Sequence, residues 1–501
     1  MIMEKTKHSF SYWQWRTIIG TMIGYAVFYF VRKNLSFAIP GLTAEYGISK
    51  AALGAILAIV SIVYGVSKLL NGFLADRVNG RWHMVAGLSV CTIVNVLFGF
   101  GAMICAYFVG SDYGETFTHA LILLFGILLV VNNIFQGCGF PPCNRLMTHW
   151  VPPHELSTKM SLWNTSHSIG AFVAAVLCGF IMGQFGTDQS GNNELRERVV
   201  ANTQSVTSSM DPEAARAYVD GMLQHYGAWQ WTFWIPAAIA AIGVVFIIIV
   251  LRDTPKSVGL PELPGTVKSG KSREESKDHR QFIWNHVIKS KLVWILALAD
   301  FFVYVVRMAV LDWVPTFLQE NRGLSPAAAA SVVAIFEVFG ILGMLSAGVI
   351  TDKLFKGRGQ RTSVFCMIGV VLFIAAFCFF PLQTDPLLLC GFLICAGFFL
   401  YGPQALIGVI ASNQVTRRGA SSAVGIIGFV SYIAPIVSGY VFGILADTPS
   451  VGWDGVFKIM IIVAVAGALT MAVLWNVKAD AYETKAAATD SNKLEEDSLD
   501  D

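Results

Sequence analysis

Tyr29-Phe-Val-Arg32, followed by Pro40, and Tyr304-Val-Val-Arg307, followed by Pro315, are one pattern written twice, 275 residues apart. The repetition runs into the next segment, where Gly72, Asp76 and Arg77 are echoed by Gly348, Asp352 and Lys353 at an offset of 276. Two nearly equal offsets across two successive segments indicate a duplicated unit. Each Arg lies about 15 residues into an apolar run, so the duplication places two arginines at equivalent depth in two equivalent helices. Paired repeats of this kind put a binding site at the seam between them, near the membrane midplane.

Working outward, apolar runs begin near residues 17, 51, 82, 119, 158 and 229, and again near 292, 327, 362, 387, 418 and 455. Each is long enough to cross a bilayer as a helix. The composition agrees: 55% of the 501 residues are hydrophobic and 14% charged, whereas a soluble chain keeps about a quarter charged. The expected fold is an all-α integral membrane protein, with 12 transmembrane helices in two pseudo-symmetric six-helix bundles. The expected organisation is a cytoplasmic N-terminus (1–16), a first bundle (17–251) with an external loop (187–228), a cytoplasmic linker (252–291), a second bundle (292–477) and a cytoplasmic tail (478–501). Basic residues gather at Arg77 and Arg81, at Lys353, Lys356, Arg358 and Arg361, and at Arg417 and Arg418. By the positive-inside rule this side and both termini are cytoplasmic, in a multi-pass protein of the inner (plasma) membrane. The external insert Thr187 to His225 predicts one short helix, from Pro212 to Leu223. The acidic, polar tail predicts disorder.

With 35 basic and 33 acidic residues the net charge is +2, which provides no field for nucleic acid. The nine cysteines fall inside apolar runs without metal-type spacing and read as small buried hydrophobes. An enzyme would need a nucleophile or metal cluster at the seam, and no His, Asp or Glu grouping with ligand spacing occurs there. The sequence therefore predicts no metal, no cofactor and no enzymatic activity.

A charge near the bilayer centre costs at least about 2.5–3.5 kcal/mol, so intramembrane ionisable residues mark function by default. Arg32, with Lys33 beside it, and Arg307 are the leading candidates. The first half offers no acid at that depth, and Asp300, Asp312 and Glu337 all belong to the second half. Two uncompensated guanidiniums facing one cavity call for a compact dianion, and their planar forks match phosphate or a phosphate monoester. Lys68 adds a third cation or snorkels to the interface. His167 offers a hydrogen bond to phosphate or is a satisfied core histidine. Tyr25, Tyr29, Tyr64, Tyr304, Tyr401 and Tyr432 recur in helices that would line the same cavity. Asp76, Arg77, Asp352 and Lys353, in short loops, suit conformational gating through charge pairs and helix-end contacts. Gly139-Phe-Pro-Pro142 and Gly402-Pro403 permit bends in the fourth and tenth helices.

The chain resembles the major facilitator superfamily and, within it, the organophosphate:phosphate antiporters. The resemblance is carried by Gly24-Tyr-Ala-Val-Phe-Tyr-Phe-Val-Arg32-Lys-Asn34, Tyr64-Gly-Val-Ser-Lys68, Trp163-Asn-Thr-Ser-His167, Phe302-Val-Tyr-Val-Val-Arg307, Leu311-Asp-Trp-Val-Pro315, Tyr401-Gly-Pro403 and Gly452-Trp-Asp-Gly455. It implies alternating-access exchange of an organic phosphate for inorganic phosphate, in a monomer bounded by lipid. Matching positions in glycerol-3-phosphate members imply that Arg32 and Arg307 bind the phosphoryl group, with His167, Lys68, Tyr25, Tyr29, Tyr304, Tyr401 and Tyr432 around it. Bacterial hexose-6-phosphate carriers have an Asp and a Lys where this chain has Val424 and Ile427, which favours glycerol-3-phosphate. Hexose-6-phosphate or phosphoglycerate antiport, and phosphate-ester sensing without net transport, are the alternatives.

Overall fold

The computed structural model describes residues 9–477 apart from positions 33, 49, 111, 209, 211, 264–278, 323–325, 380–385 and 448–449. Lys33, the first eight residues, the middle of the linker and the tail lie outside the described residues. The regular structure described is helical, with a single β-bridge between Thr187 and Tyr226 at the neck of the external insert.

Twelve spans follow in order. The first is Phe10–Phe30 continued by Asn34–Tyr46, the second Lys50–Ala75, and the third Gly80–Gly99 with Gly101–Val109. The fourth is Glu115–Gln136 with Phe140–Trp150, the fifth Pro153–Gln184 and the sixth Ala228–Val250. The second half comprises Lys291–Arg322, Pro326–Lys353, Gly359–Phe379, Pro386–Gln414, a broken eleventh span, and Gly452–Ala472. The eleventh span runs Thr416–Ser431, Ala434–Ile436, a π-helical turn Val437–Val441, and Phe442–Asp447. Among the described residues, ten helices are long and apolar enough to cross a membrane. Ile93, Leu123, Phe172, Ile242, Leu372 and Ile462 remain exposed on the outer faces, where lipid rather than water makes apolar side chains the stable choice. The cysteines are buried or half-buried.

Two expected boundaries shift. The first helix begins at Phe10 rather than near residue 17, because Ser9 caps it by accepting from Tyr12 N at 3.3 Å. Arg16 then donates to the Val250 and Ile249 carbonyls at the end of the sixth span, at 3.0 Å each. The external insert holds two helices, Asn193–Thr207 and Pro212–Gln224, not one. Val199, Val219 and Leu223 form a small core with Ala44 of the first span, and this packing stabilises a helix whose own periodicity is weak.

The duplicated Gly-x-x-x-Asp has a structural reason. A Cβ on Gly72 of the second span would lie 2.7 Å from the Ser421 carbonyl oxygen and 2.8 Å from Gly425 Cα of the eleventh. A Cβ on Gly348 of the eighth would lie 2.5 Å from Ser161 Oγ and 2.8 Å from the Ser157 carbonyl oxygen of the fifth. One turn later, Asp76 accepts from Ser421 N (3.1 Å), Ser422 N (2.7 Å) and Ser422 Oγ (2.6 Å). Asp352 accepts from Thr158 N at 2.6 Å. Each acid therefore crosses the seam to backbone N–H groups in the second turn of a helix in the other half. Both contacts lie on the side bearing the short basic loops, which is closed.

Arg77 and Lys353 stand outside these contacts and are exposed, so the expected charge pairs give way to acid-to-helix contacts. The cation that braces the Asp76 turn is Arg145. It donates to the Ala75 and Asp76 carbonyls at 3.2 and 2.8 Å and pairs with Asp253 at 3.4 Å.

Two predictions follow from the seam. Overpacking a tight contact costs about 1–3 kcal/mol, so Gly72→Ala, and more strongly Gly72→Ala with Gly348→Ala, shifts the equilibrium about tenfold or more toward separation of this face. Distances between spin labels on the two halves report the shift. Burial also pushes the Asp76 carboxyl up to about 6, against the hydrogen bonds that favour its charged form. On separation it returns to the ordinary value near 4. Closure therefore takes up a proton, and the closed form gains as pH falls from about 6 toward 4 and is flat above that window. The same spin labels, followed from pH 7 to 4.5, give this dependence in the wild type, and Asp76→Asn weakens it, leaving what the equivalent Asp352 contact contributes.

Candidate substrate site between the two halves

The first span breaks where its Arg stands. After Phe30 the backbone leaves the helix at Val31 (φ −108°, ψ 20°), and helix resumes at Asn34. A carbonyl freed from its ladder inside a membrane must find another donor. Val31 O receives three, from Asn95 Nδ2 (3.1 Å), Asn132 Nδ2 (3.0 Å) and Gln136 Nε2 (3.3 Å). Asn34 extends the network by donating to Asn95 Oδ1 (3.1 Å) and the Thr232 carbonyl (2.9 Å). The eleventh span breaks at Tyr432 and Ile433, because Pro435 supplies no N–H to the Ser431 carbonyl. The two breaks meet across the seam, where Arg32 Nη2 donates to Tyr432 Oη at 3.2 Å. The Arg32 guanidinium lies 4.0 Å from the centre of the Tyr64 ring and 5.2 Å from that of Tyr29, cation–π contacts that solvate it without an anion.

Arg307 sits in an unbroken helix and is held differently. Its Nε donates to Tyr401 Oη at 2.9 Å, its Nη2 pairs with Glu337 Oε1 at 3.3 Å, and Tyr401 Oη also donates to Glu337. The expectation of two uncompensated guanidiniums is thus corrected: Glu337, in the eighth span of the same half, neutralises Arg307. Arg32 has no carboxylate partner among the described residues. The expectation that both face one cavity is corrected as well.

A cavity of about 110 Å³ lies at the seam. Tyr25, Tyr29, Tyr64, Lys68, His167, Tyr304, Arg307 and Tyr432 line it. Arg32 and Tyr401 stand one layer behind, Arg32 screened by Tyr64 and Tyr432, and Tyr401 beneath Arg307. His167 donates through Nδ1 to the Asn164 carbonyl, which leaves Nε2 as an acceptor facing Ser168 Oγ at 3.3 Å. Lys68 Nζ lies over the Phe140 ring at 4.8 Å. Val424 and Ile427 also line the cavity, together with Asp300, Asn164 and Gln404. Asp300 and Glu337 were visible in the sequence as intramembrane acids, whereas Asn164 and Gln404 gave no signal. A larger cleft of about 360 Å³ opens at the external insert, between Glu45 and Trp231, but it contains none of the expected site residues.

The sequence pattern of the Major Facilitator Superfamily matches residues 21–402. The glycerol-3-phosphate transporter of Bacillus subtilis is 33% identical over 467 residues, 92% of either chain. A probable hexose phosphate transport protein of Chlamydia pneumoniae is 31% identical over 498 residues, 96% of either chain. The membrane sensor protein UhpC of Escherichia coli is 29% identical over 476 residues, 94% of either chain. Among solved structures, the E. coli fucose:proton symporter FucP superposes with a TM-score of 0.67 at 14% identity, covering 91% of this chain and 98% of that one. The proton:xylose symporter XylE gives 0.64 at 16%, covering 93% and 97%; these likenesses speak for the fold alone. With twelve spans in two halves around a central cavity, and a pattern match over most of its length, the chain belongs to the Major Facilitator Superfamily, and among its relatives are a glycerol-3-phosphate transporter, a probable hexose phosphate transport protein and a membrane sensor protein.

Proposed function

We propose that this protein is a secondary active transporter of the inner (plasma) membrane, with both termini cytoplasmic, that exchanges glycerol-3-phosphate for inorganic phosphate by alternating access as a monomer. The observation that carries this reading is a small cavity at the seam lined by Arg307, Lys68 and five tyrosines, with Arg32, from the span equivalent to that of Arg307, one layer behind Tyr64 and Tyr432. An entering dianion competes with Glu337 for Arg307 and draws Arg32 away from Tyr432, so its charge bridges the halves. His167 can donate to that anion only after Nε2 takes up a proton, because Nδ1–H is committed to Asn164. Without an anion, a change of state moves Arg32 through a desolvated seam with no counter-charge. Either phosphate or its ester removes that penalty, which makes reorientation fast when loaded and slow when empty. Efflux of phosphate then drives uptake of the ester. The apolar Val424 and Ile427 and the Bacillus subtilis relative favour glycerol-3-phosphate as the organic substrate.

The test is uptake of labelled phosphate into proteoliposomes loaded with phosphate, with unlabelled glycerol-3-phosphate, glucose-6-phosphate and 3-phosphoglycerate as competitors. Uptake that requires internal phosphate and yields first to glycerol-3-phosphate is expected. Saturable binding without exchange overturns antiport in favour of a sensor. Arg32→Lys and Arg307→Lys should each abolish exchange while inserting normally, since an ammonium cannot reproduce the bidentate fork; normal transport by either would refute the two-arginine site. Glu337→Gln removes the carboxylate that competes with the anion and should raise apparent phosphate affinity several-fold, read as a lower half-saturating phosphate concentration in the same exchange assay.

A further inference from the structure

Asp300 is a carboxylate that phosphate binding does not use. It lies in the seventh span, seven residues before Arg307 and so about 10 Å from it along the axis, is 6% exposed, and lines the cavity. Its Oδ2 accepts from Ser431 of the eleventh span, while its Oδ1 is buried with no hydrogen-bond partner among the described residues. Leaving such an oxygen unsatisfied is unfavourable, so a donor reaching it would be bound. Lys68 shares this end of the cavity. Its stem crosses Gly428 so closely that a Cβ there would come within 2.6 Å of Nζ, and its ammonium rests between the Phe140 and Tyr432 rings at 4.8 and 5.5 Å. Lys68 and Asp300 lie in each other's field, yet among the described residues they are not paired directly.

We propose that Asp300 and Lys68 form the subsite for the organic part of the phosphate ester, and that Asp300 selects monoesters whose organic part is uncharged and hydroxyl-bearing against those whose organic part carries a carboxylate. A hydroxyl donates and accepts, so it can satisfy Asp300 Oδ1 while receiving a hydrogen bond from Lys68. A carboxylate accepts only, and would bring like charge against Oδ1 without filling its need. Lys68 alone would attract it; Asp300 cancels that attraction, a repulsive element of the kind that separates close analogues. This inference rests on the reading of the cavity as a phosphate-ester site and names the class of ester.

The experiment compares wild type, Asp300→Asn and Asp300→Ser, full-length and purified, by thermal stabilisation with glycerol-3-phosphate and with 3-phosphoglycerate, and by competition of the same two esters for phosphate exchange. Wild type is expected to prefer glycerol-3-phosphate by about tenfold or more, because like-charge juxtaposition is costly, and both variants are expected to lose or invert that ratio. An unchanged ratio in the variants, or a wild type that favours 3-phosphoglycerate, overturns the assignment. If exchange is absent while both esters still stabilise the protein, antiport fails and the stabilisation ratio alone decides for or against Asp300. If neither ester stabilises the wild type, the subsite is overturned along with the phosphate-ester site. Should both variants fail to insert, the wild-type ratio decides.

Discussion

A guanidinium at mid-membrane depth has to be solvated by protein, and the centre of this chain is organised by doing so twice in different ways. Arg307 receives a carboxylate and a phenol from its own half. Arg32 receives aromatic faces and one phenol from the opposite half. The difference has a structural cost on one side only: the seventh span runs unbroken through its Arg, while the first opens and needs three side-chain amides on one carbonyl. Duplication supplied two equivalent arginines, and their surroundings have since made them unequal. One is held tightly and electrostatically; the other is held loosely, by contacts that an anion could replace.

The same two helices that carry site residues also carry the closed face. In the eleventh span, Ser421 and Ser422 receive Asp76, and Tyr432, ten residues beyond Ser422, receives Arg32. In the fifth, Thr158 donates to Asp352, and His167 stands nine residues further toward the cavity. These distances are about 14–15 Å along a helix axis. A rigid helix transmits a shift at one end to the other, so, on the function proposed above, a charge arriving beside Tyr432 or His167 would act on elements whose far ends are tied by Asp76 and Asp352. Gly72 and Gly348 let those helices approach the opposite half to within backbone contact.

Much of this was legible from residue order. Hydropathy and the positions of Gly, Pro and charge located the twelve spans to within a few residues, apart from the early start at Phe10 and the second helix of the external insert. Those two exceptions have one cause: amphipathic helices of modest hydropathy owe their stability to partners, here the sixth span for Phe10–Arg16 and Ala44 for the insert. The repeat offset identified Arg32, Arg307, Asp76 and Asp352 as residues that matter. Of the charge pairs and helix-end contacts it suggested for the gate, the acids make contacts near helix ends while Arg77 and Lys353 stay exposed, and Arg307, read as an unpaired cation, meets Glu337.

Residue order by itself determined that the chain lives in a bilayer, that it is a duplication, and which charges are buried there. Each follows from local quantities: hydropathy over about 20 residues, helical spacing, and a repeat offset. Only the tertiary structure decided how each charge is compensated, because the partners come from remote positions. Glu337 is 30 residues from Arg307, Tyr432 is 400 from Arg32, and Ser422 is 346 from Asp76. Ion pairs, ring contacts and the unfilled oxygen of Asp300 depend on distances of a few ångströms between such segments, and packing alone sets those distances.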